Sequence, residues 1–114
     1  MRRTGSKFET FGDGVLTVCG ADKRTIVNTK AEGIRYGNKT IGERRFWDAK
    51  VAGTVISAMV CILPYPGIER DDIVLIRERQ YRISQVQHKF DAAPPCLYLT
   101  LESVQPPLRD ERWQ

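Results

Sequence analysis

Four basic residues close together are the strongest candidates for chemistry in this sequence: Arg35, Lys39, Arg44 and Arg45, with Tyr36 among them. Closely spaced cations neutralise phosphates without reading base sequence, so this segment predicts contact with a nucleic-acid backbone. The other interpretation is a solvated loop whose charge is incidental. The residues by themselves leave both interpretations open.

The segment around these cations lacks the periodicity of a helix or a strand. Gly33, Gly37 and Gly42 interrupt residues 29–45, and we interpret them as hinges of a long irregular loop. A loop of this length in a compact domain is usually functional or disordered. The first fifty residues contain eleven Lys and Arg against six Asp and Glu, a balance of +5, whereas the remainder has a balance of −1. The positive charge therefore belongs to the half that contains the loop.

The remaining residues offer little from which an active site could be formed. His88 is the single histidine, and no serine or cysteine beside it in sequence forms the nucleophile and base of covalent catalysis. Cys19, Cys61 and Cys96 lack the paired spacings of zinc and redox sites, and they are interpreted as buried free thiols. We expect no enzymatic activity, no cofactor and no metal site.

Short strands must position these residues. Three such strands are predicted in the C-terminal half. Residues 72–90 contain an apolar β-branched run and then a mostly alternating pattern, which predicts a hairpin. Its turn is placed at residues 77–80, which contain no glycine or asparagine. The alternation over residues 97–101 predicts a third strand and a meander with one apolar side.

Further strands are predicted on the N-terminal side. Residues 14–19 and 24–28 are expected to pair as a hairpin around the polar residues 20–23. Residues 54–63 are apolar on both faces, as in a central strand, and the prolines of residues 64–67 end that strand. No segment shows convincing helical periodicity.

Six or seven short strands with frequent turns predict one small all-β domain, an antiparallel β-barrel with little helix. Closure into a barrel would remove exposed sheet edges. The barrel is assigned to residues 15–104 and includes the loop at 29–45. A flexible N-terminal arm at residues 1–14 precedes it, and a C-terminal tail at 105–114 follows it. No apolar run reaches the roughly 20 residues of a membrane helix.

The two terminal segments contain few apolar residues, which are therefore candidates for docking on a partner. These are Phe8 and Phe11 in the arm, and Leu108 and Trp113 in the tail. The N-terminus has no apolar stretch of the kind that a secretory signal requires. Synthesis and residence in a cytoplasm are expected.

Three segments carry a resemblance to a known family: YGNKTIGERRFWDAKVAG from Tyr36, ILPYPGIERDDIVLIRERQYRISQVQHKF from Ile62, and LYLTLESV from Leu97. Their order resembles that of head closure or head-tail joining proteins of long-tailed bacteriophages and prophages. In such proteins a basic loop with glycines precedes an aromatic RF segment. The barrel then contains a D-x-V, Y-x-I and V pattern, which is present here at Asp72, Val74, Tyr81, Ile83 and Val86.

The resemblance implies a small β-barrel that assembles as a twelvefold ring in the neck of the virion. The ring would lie below a portal or adaptor protein and above a tail protein or tail terminator. It would retain the packaged DNA, with the loop at residues 29–45 lining or plugging the channel. The protein would contact DNA without sequence specificity, would not contact a membrane, and would be present in the host cytoplasm during assembly.

Three alternatives remain open from the sequence. The first is a monomeric barrel that binds nucleic acid by stacking bases on aromatic residues such as Tyr81 and Tyr98. The second is a tail-terminator ring with a similar barrel. An enzyme that uses His88 ranks last.

Overall fold

The structure is a computed structural model that describes residues 7–8, 10–39 and 56–112. This part of the chain contains nine strands and no helix, and so no helix that could cross a membrane. The strands are β1 (Lys7–Phe8), β2 (Gly14–Asp22), β3 (Thr25–Lys39), β4 (Ile56–Ile62), β5 (Ile73–Ile76), β6 (Arg79–Lys89), β7 (Ala92–Ala93), β8 (Cys96–Ser103) and β9 (Arg109–Asp110). The predicted all-β domain with little helix is confirmed.

Six of these strands close into a ring. They pair in the order β2, β5, β6, β8, β4 and β3, and the pairing of β2 with β3 completes the circle. Every pairing within the ring is antiparallel. The strand β9 adds to β3 in parallel, and β1 pairs in parallel with β7 outside the ring. Each strand of the ring therefore has a neighbour on both sides.

The ring encloses the main hydrophobic core, because alternate residues of each strand point inward. Its fully buried members include Leu16, Val18, Val60, Ile62, Val74, Ile83, Leu99 and Leu101. Burying a side chain of this size contributes about 1.5–3 kcal/mol. A second cluster, formed by Cys19, Ile26, Ile73, Val104 and Leu108, lies beside the main core.

The strand β8 is buried on both faces, which corrects the predicted meander with one apolar side. Tyr98 and Thr100 alternate with the leucines of this strand, yet they are only 7% and 2% exposed. Tyr98 belongs to a third cluster on the outer face of the ring, and Phe11 from the N-terminal segment packs against that cluster. The N-terminal segment thus covers a face that the pattern of β8 left polar.

The predicted loop at residues 29–45 is wrong for its described part, because residues 29–39 belong to the fifteen-residue strand β3. A bulge hides the strand period. Leu16 pairs with Ile34 while Val18 pairs with Ala31, so β3 accommodates an extra residue. Gly33 lies in this bulge with φ +70, a conformation that glycine adopts without steric cost. Residues 40–45 lie outside the described residues.

Both predicted hairpins form, and both turns are tighter than expected. The chain turns at Lys23 and Arg24 between β2 and β3, and at Arg77 and Glu78 between β5 and β6. The first residue of each turn has a positive φ, 60 at Lys23 and 58 at Arg77. Glycine or asparagine normally occupies such positions, so neither turn could be predicted at these residues from its sequence.

The N-terminal segment is attached to the ring from residue 10 onward, so the flexible arm predicted at residues 1–14 is wrong there. The amide of Asp13 donates to the carbonyl of Tyr36 at 3.0 Å, and the Asp13 carboxylate accepts from the amide of Asn38 at 2.8 Å. The Cys61 thiol donates to the Thr10 carbonyl at 3.7 Å. These bonds fasten the segment across β3.

An ion pair fastens the connection between β4 and β5. The Lys30 ammonium lies 2.9 Å from the carboxylate of Asp72, which is only 6% exposed, and it also donates to the Gly67 carbonyl. The carboxylate accepts a further bond from the Glu69 amide at 2.8 Å. A buried carboxylate needs such partners, because leaving it unpaired is costly.

We expect Gly37→Ala to destabilise the protein by about 1–3 kcal/mol. A Cβ at this position would lie against the Thr10 carbonyl oxygen, so the N-terminal segment would have to move. Urea unfolding measures the loss. Gly12→Ala is the control, since its Cβ would meet nothing within 4 Å. Equal unfolding free energies for the two variants would show that the segment does not constrain β3.

Asp72→Asn should cost about 1–3 kcal/mol, because it removes the charge that pairs with Lys30 while keeping an acceptor for the Glu69 amide. The matched control is Glu69→Gln. The Glu69 side chain lies 3.8 Å from the same ammonium but is 75% exposed. Loss of its charge should change the free energy of unfolding by less than about 0.5 kcal/mol. Similar losses in the two variants would contradict the structural role of the buried pair.

Candidate functional site

The predicted basic residues do not form one mobile group within the described part of the chain. Arg35 and Lys39 point outward from β3, but the N-terminal segment crosses the strand between them at Gly37. The interpretation of Gly33 and Gly37 as loop hinges is wrong, since Gly33 forms the bulge and Gly37 admits the crossing segment. Arg44, Arg45 and Gly42 lie outside the described residues.

Arg35 lies in an open depression on the outer surface, which we call the apolar groove. It has a volume of about 650 Å³ and is lined by Phe11, Gly12, Gly33, Ile34, Arg35, Leu63, Pro64 and Tyr65. Leu63 and Tyr65 are 51% and 41% exposed, and Val15 at its edge is 58% exposed. Clustered exposed apolar side chains of this kind mark interaction surfaces.

The local backbone explains why the groove stays open. The strand β4 ends at Ile62, and Pro64, which has no amide hydrogen for strand pairing, follows the half-exposed Leu63. On the other side, Val15 is the cross-strand partner of Arg35 on the outward face. The guanidinium is the one cationic group among the groove's lining residues, so the groove suits an apolar partner that carries a carboxylate.

A second grouping lies where the connection at residues 40–55 leaves and rejoins the ring. Antiparallel pairing of β3 with β4 places Lys39 and the start of β4 at the same end. The turn between β5 and β6 lies there too, since Asn38 and Arg77 line one groove of about 660 Å³. We call this region the basic end and define its cations as Arg77 and Arg79. The acidic residues beside them are Asp13 and Glu78.

The aromatic residues proposed for base stacking do not present open faces. Tyr98 is 7% exposed, and the ammonium groups of Lys39 and Lys89 lie 5.3 and 5.5 Å from the centre of its ring. This arrangement gives favourable cation–π contacts within the domain. Tyr81 is half-buried and packs against the main core. Neither ring is placed to receive a base.

The residues considered for catalysis or metal binding are dispersed. His88 is exposed and stacks on Phe90, with ring centres 5.7 Å apart. The predicted buried free thiols are confirmed for all three cysteines, and burial raises the pKa of the Cys19 thiol. Over the described ranges, no group of three or more histidine, cysteine or acidic residues could hold a metal ion.

A protruding aromatic residue, which the sequence pattern did not indicate, is exposed in the structure. Phe90 is 80% exposed, the highest value among the exposed large hydrophobic residues of the described chain, and the exposed Asp91 follows it in the turn after β6. We call these two residues the Phe90 knob. Phe90 continues the alternation of β6, so its pattern resembles that of a core residue. Only the position of the strand end shows that it projects beyond the core.

The terminal residues predicted to dock on a partner are partly used within the domain itself. Leu108 is 4% exposed, because the side chain of Gln80 accepts from the Leu108 amide at 2.6 Å and donates to its carbonyl at 3.0 Å. That prediction is therefore wrong for Leu108. Phe11 packs on the outer-face cluster and lines the apolar groove. The side chain of Phe8 and all of Trp113 lie outside the described residues.

The C-terminal segment is held by an arginine fork. The Arg112 guanidinium contacts both oxygens of Asp110, at 2.9 and 2.8 Å, and donates to the Thr29 hydroxyl at 3.0 Å. These hydrogen bonds lower the pKa of Asp110. The predicted tail at residues 105–114 therefore forms part of the domain as far as residue 112.

Comparisons with protein-family models, with curated proteins and with solved structures find no match to this chain. Its function has to be inferred from its own geometry and from the order of its motifs.

We expect Asp110→Asn to lower the free energy of unfolding by about 1 kcal/mol at neutral pH. The lowered pKa means that the folded state favours the carboxylate, so this stabilisation is complete above the ordinary aspartate pKa. It is lost as the pH falls through the lowered pKa of Asp110. Urea unfolding at several pH values measures the difference from the wild type. Glu111→Gln is the control, and a difference that does not shrink with acid would contradict the fork.

Proposed function

We propose that this protein is a ring-forming structural component of the neck of a long-tailed bacteriophage, a head closure or head-tail joining protein without catalytic activity. The observation that carries the proposal is the apolar groove. Each strand of the closed ring already pairs on both sides, so side-chain surfaces are better suited to association there than an added strand. The groove provides such a surface, and the order of motifs resembles that of the neck proteins.

The basic end supports a contact with packaged DNA. Arg77 and Arg79 lie there beside Asp13 and Glu78. The connection that starts at the same end adds Arg44, Arg45 and Lys50 against Glu43 and Asp48, so one copy carries an excess of one positive charge. A ring repeats it around an axis, where many phosphate contacts together attract DNA without base recognition.

The architecture changes which residues are assigned to the channel. Because residues 29–39 form a wall of the domain, the channel-facing role is assigned to the basic end instead. Arg35 is assigned instead to protein contact in the apolar groove. In the assembled virion the ring would lie between a portal or adaptor protein and a tail protein or tail terminator.

Replacing Arg77 and Arg79 together by glutamine should reduce the fraction of filled heads that retain their DNA, because the basic end would lose two cations per subunit. The fraction is measured by counting full and empty particles by electron microscopy. The control replaces two exposed cations outside the basic end, Lys23 and Arg70, by glutamine. Normal DNA retention in the Arg77 and Arg79 variant would exclude a DNA role for the basic end.

Imaging of particles that contain the portal tests the location directly. The proposal expects density for this protein as a ring at the junction between portal and tail. Density at the upper end of isolated tails alone would identify a tail-terminator ring instead. A chain that stays monomeric in solution and does not bind such particles would overturn the proposal.

A further inference from the structure

We infer that the apolar groove of one copy receives the Phe90 knob of the next copy, with Arg35 of the first facing Asp91 of the second. The inference rests on the proposed ring and deepens it by naming the two surfaces that form the subunit contact. The occupant of the groove is thus a second copy of this chain.

The chemistry of the two surfaces is complementary. The groove has apolar walls, including Leu63 and Tyr65, and one cation, Arg35. The knob has one aromatic ring and one adjacent carboxylate. An aromatic side chain that enters an apolar pocket supplies most of the energy of such a contact, and a guanidinium beside a carboxylate fixes its orientation.

The neighbouring charges do not oppose this pairing. Lys89 precedes the knob, but its ammonium lies over the Tyr98 ring on the outer face of the sheet. His88 stacks on Phe90 and extends the aromatic surface of the knob. Asp91 therefore presents the negative charge of this turn to a partner.

The knob and the groove are separate surfaces of the same copy. The knob follows β6, whereas the groove lies at β3 and the end of β4, and β8 separates β6 from β4 in the sheet. Phe90 is 80% exposed, so it does not fill the groove of its own copy. A contact between two unlike surfaces is heterologous, and its repetition gives a closed ring when the rotation closes. Each copy can donate its knob and receive another at the same time.

Charge reversal provides the sharpest test. Arg35→Glu and Asp91→Arg should each weaken self-association at least tenfold, measured by sedimentation velocity and native mass spectrometry. An equimolar mixture of the two variants should assemble again, because each groove then finds a knob of opposite charge. The restored rings should contain the two variants in strict alternation. A restored assembly that is only a heterodimer would show a reciprocal exchange between two copies and would overturn the ring contact.

Two further variants separate the apolar contribution from the charge. Phe90→Asp should also weaken association at least tenfold, while Val27→Ser should leave it unchanged, since Val27 is 48% exposed but does not line the groove. Circular dichroism and urea unfolding check that each variant is folded.

Cross-linking tests the same contact in a double variant with Arg35→Cys and Asp91→Cys. Mild oxidation should give disulfide-linked chains through the two introduced cysteines, since the native cysteines are buried.

The outcomes distinguish this inference from the proposed function. If the variants at Arg35, Phe90 and Asp91 form the same rings as the wild type, the contact between groove and knob is wrong while the proposed neck ring stands. The same holds if the mixture of the two charge-reversal variants stays dissociated. A wild-type chain that is monomeric both in solution and on portal-containing particles would overturn the proposed function together with the inference.

Discussion

The pairing of β3 on both of its edges is the constraint on which the rest of the structure depends. One edge pairs with β2, and the other pairs with β4 near its end and with β9 near its start. This double pairing closes the strands into a ring, so that the inward side chains meet in one core. Gly33 permits the bulge that lets a single strand serve these partners. Gly37 leaves room for the N-terminal segment to cross.

Closure also decides which surfaces remain for function. The connection between β4 and β5, the N-terminal segment and the C-terminal segment are each fastened to the ring by hydrogen bonds or by a buried ion pair. Among the residues that the structure describes, the surfaces left open include the apolar groove, the Phe90 knob and the basic end. Exposed ion pairs contribute little to stability, whereas burial of one aromatic side chain contributes several times more. Assembly through groove and knob would therefore be dominated by Phe90, with Arg35 and Asp91 selecting the orientation.

Much of the fold could be predicted from local patterns. Alternation and β-branched residues located the two hairpins and the strand β8, and the prolines after residue 63 located the end of β4. The part of β3 at residues 29–39 was missed because its bulge shifts the inward positions out of a regular period. The turn at Lys23 and Arg24 ends one residue after the predicted residues 20–23, and the turn at Arg77 and Glu78 occupies only the first half of the predicted residues 77–80. Both turns use a positive φ at a residue type without a preference for it.

By itself, the sequence determined the all-β class, the buried free cysteines and the clustering of basic residues in the N-terminal half, because these depend on composition and short-range pattern. Only the tertiary structure decided where those residues point. Arg35 and Lys39 are four positions apart, yet the crossing segment separates them, with Arg35 in the apolar groove and the Lys39 ammonium over the Tyr98 ring. Phe90 carries the pattern of a core residue, but the strand ends before it. Contacts between distant segments determine exposure, and no local pattern records them.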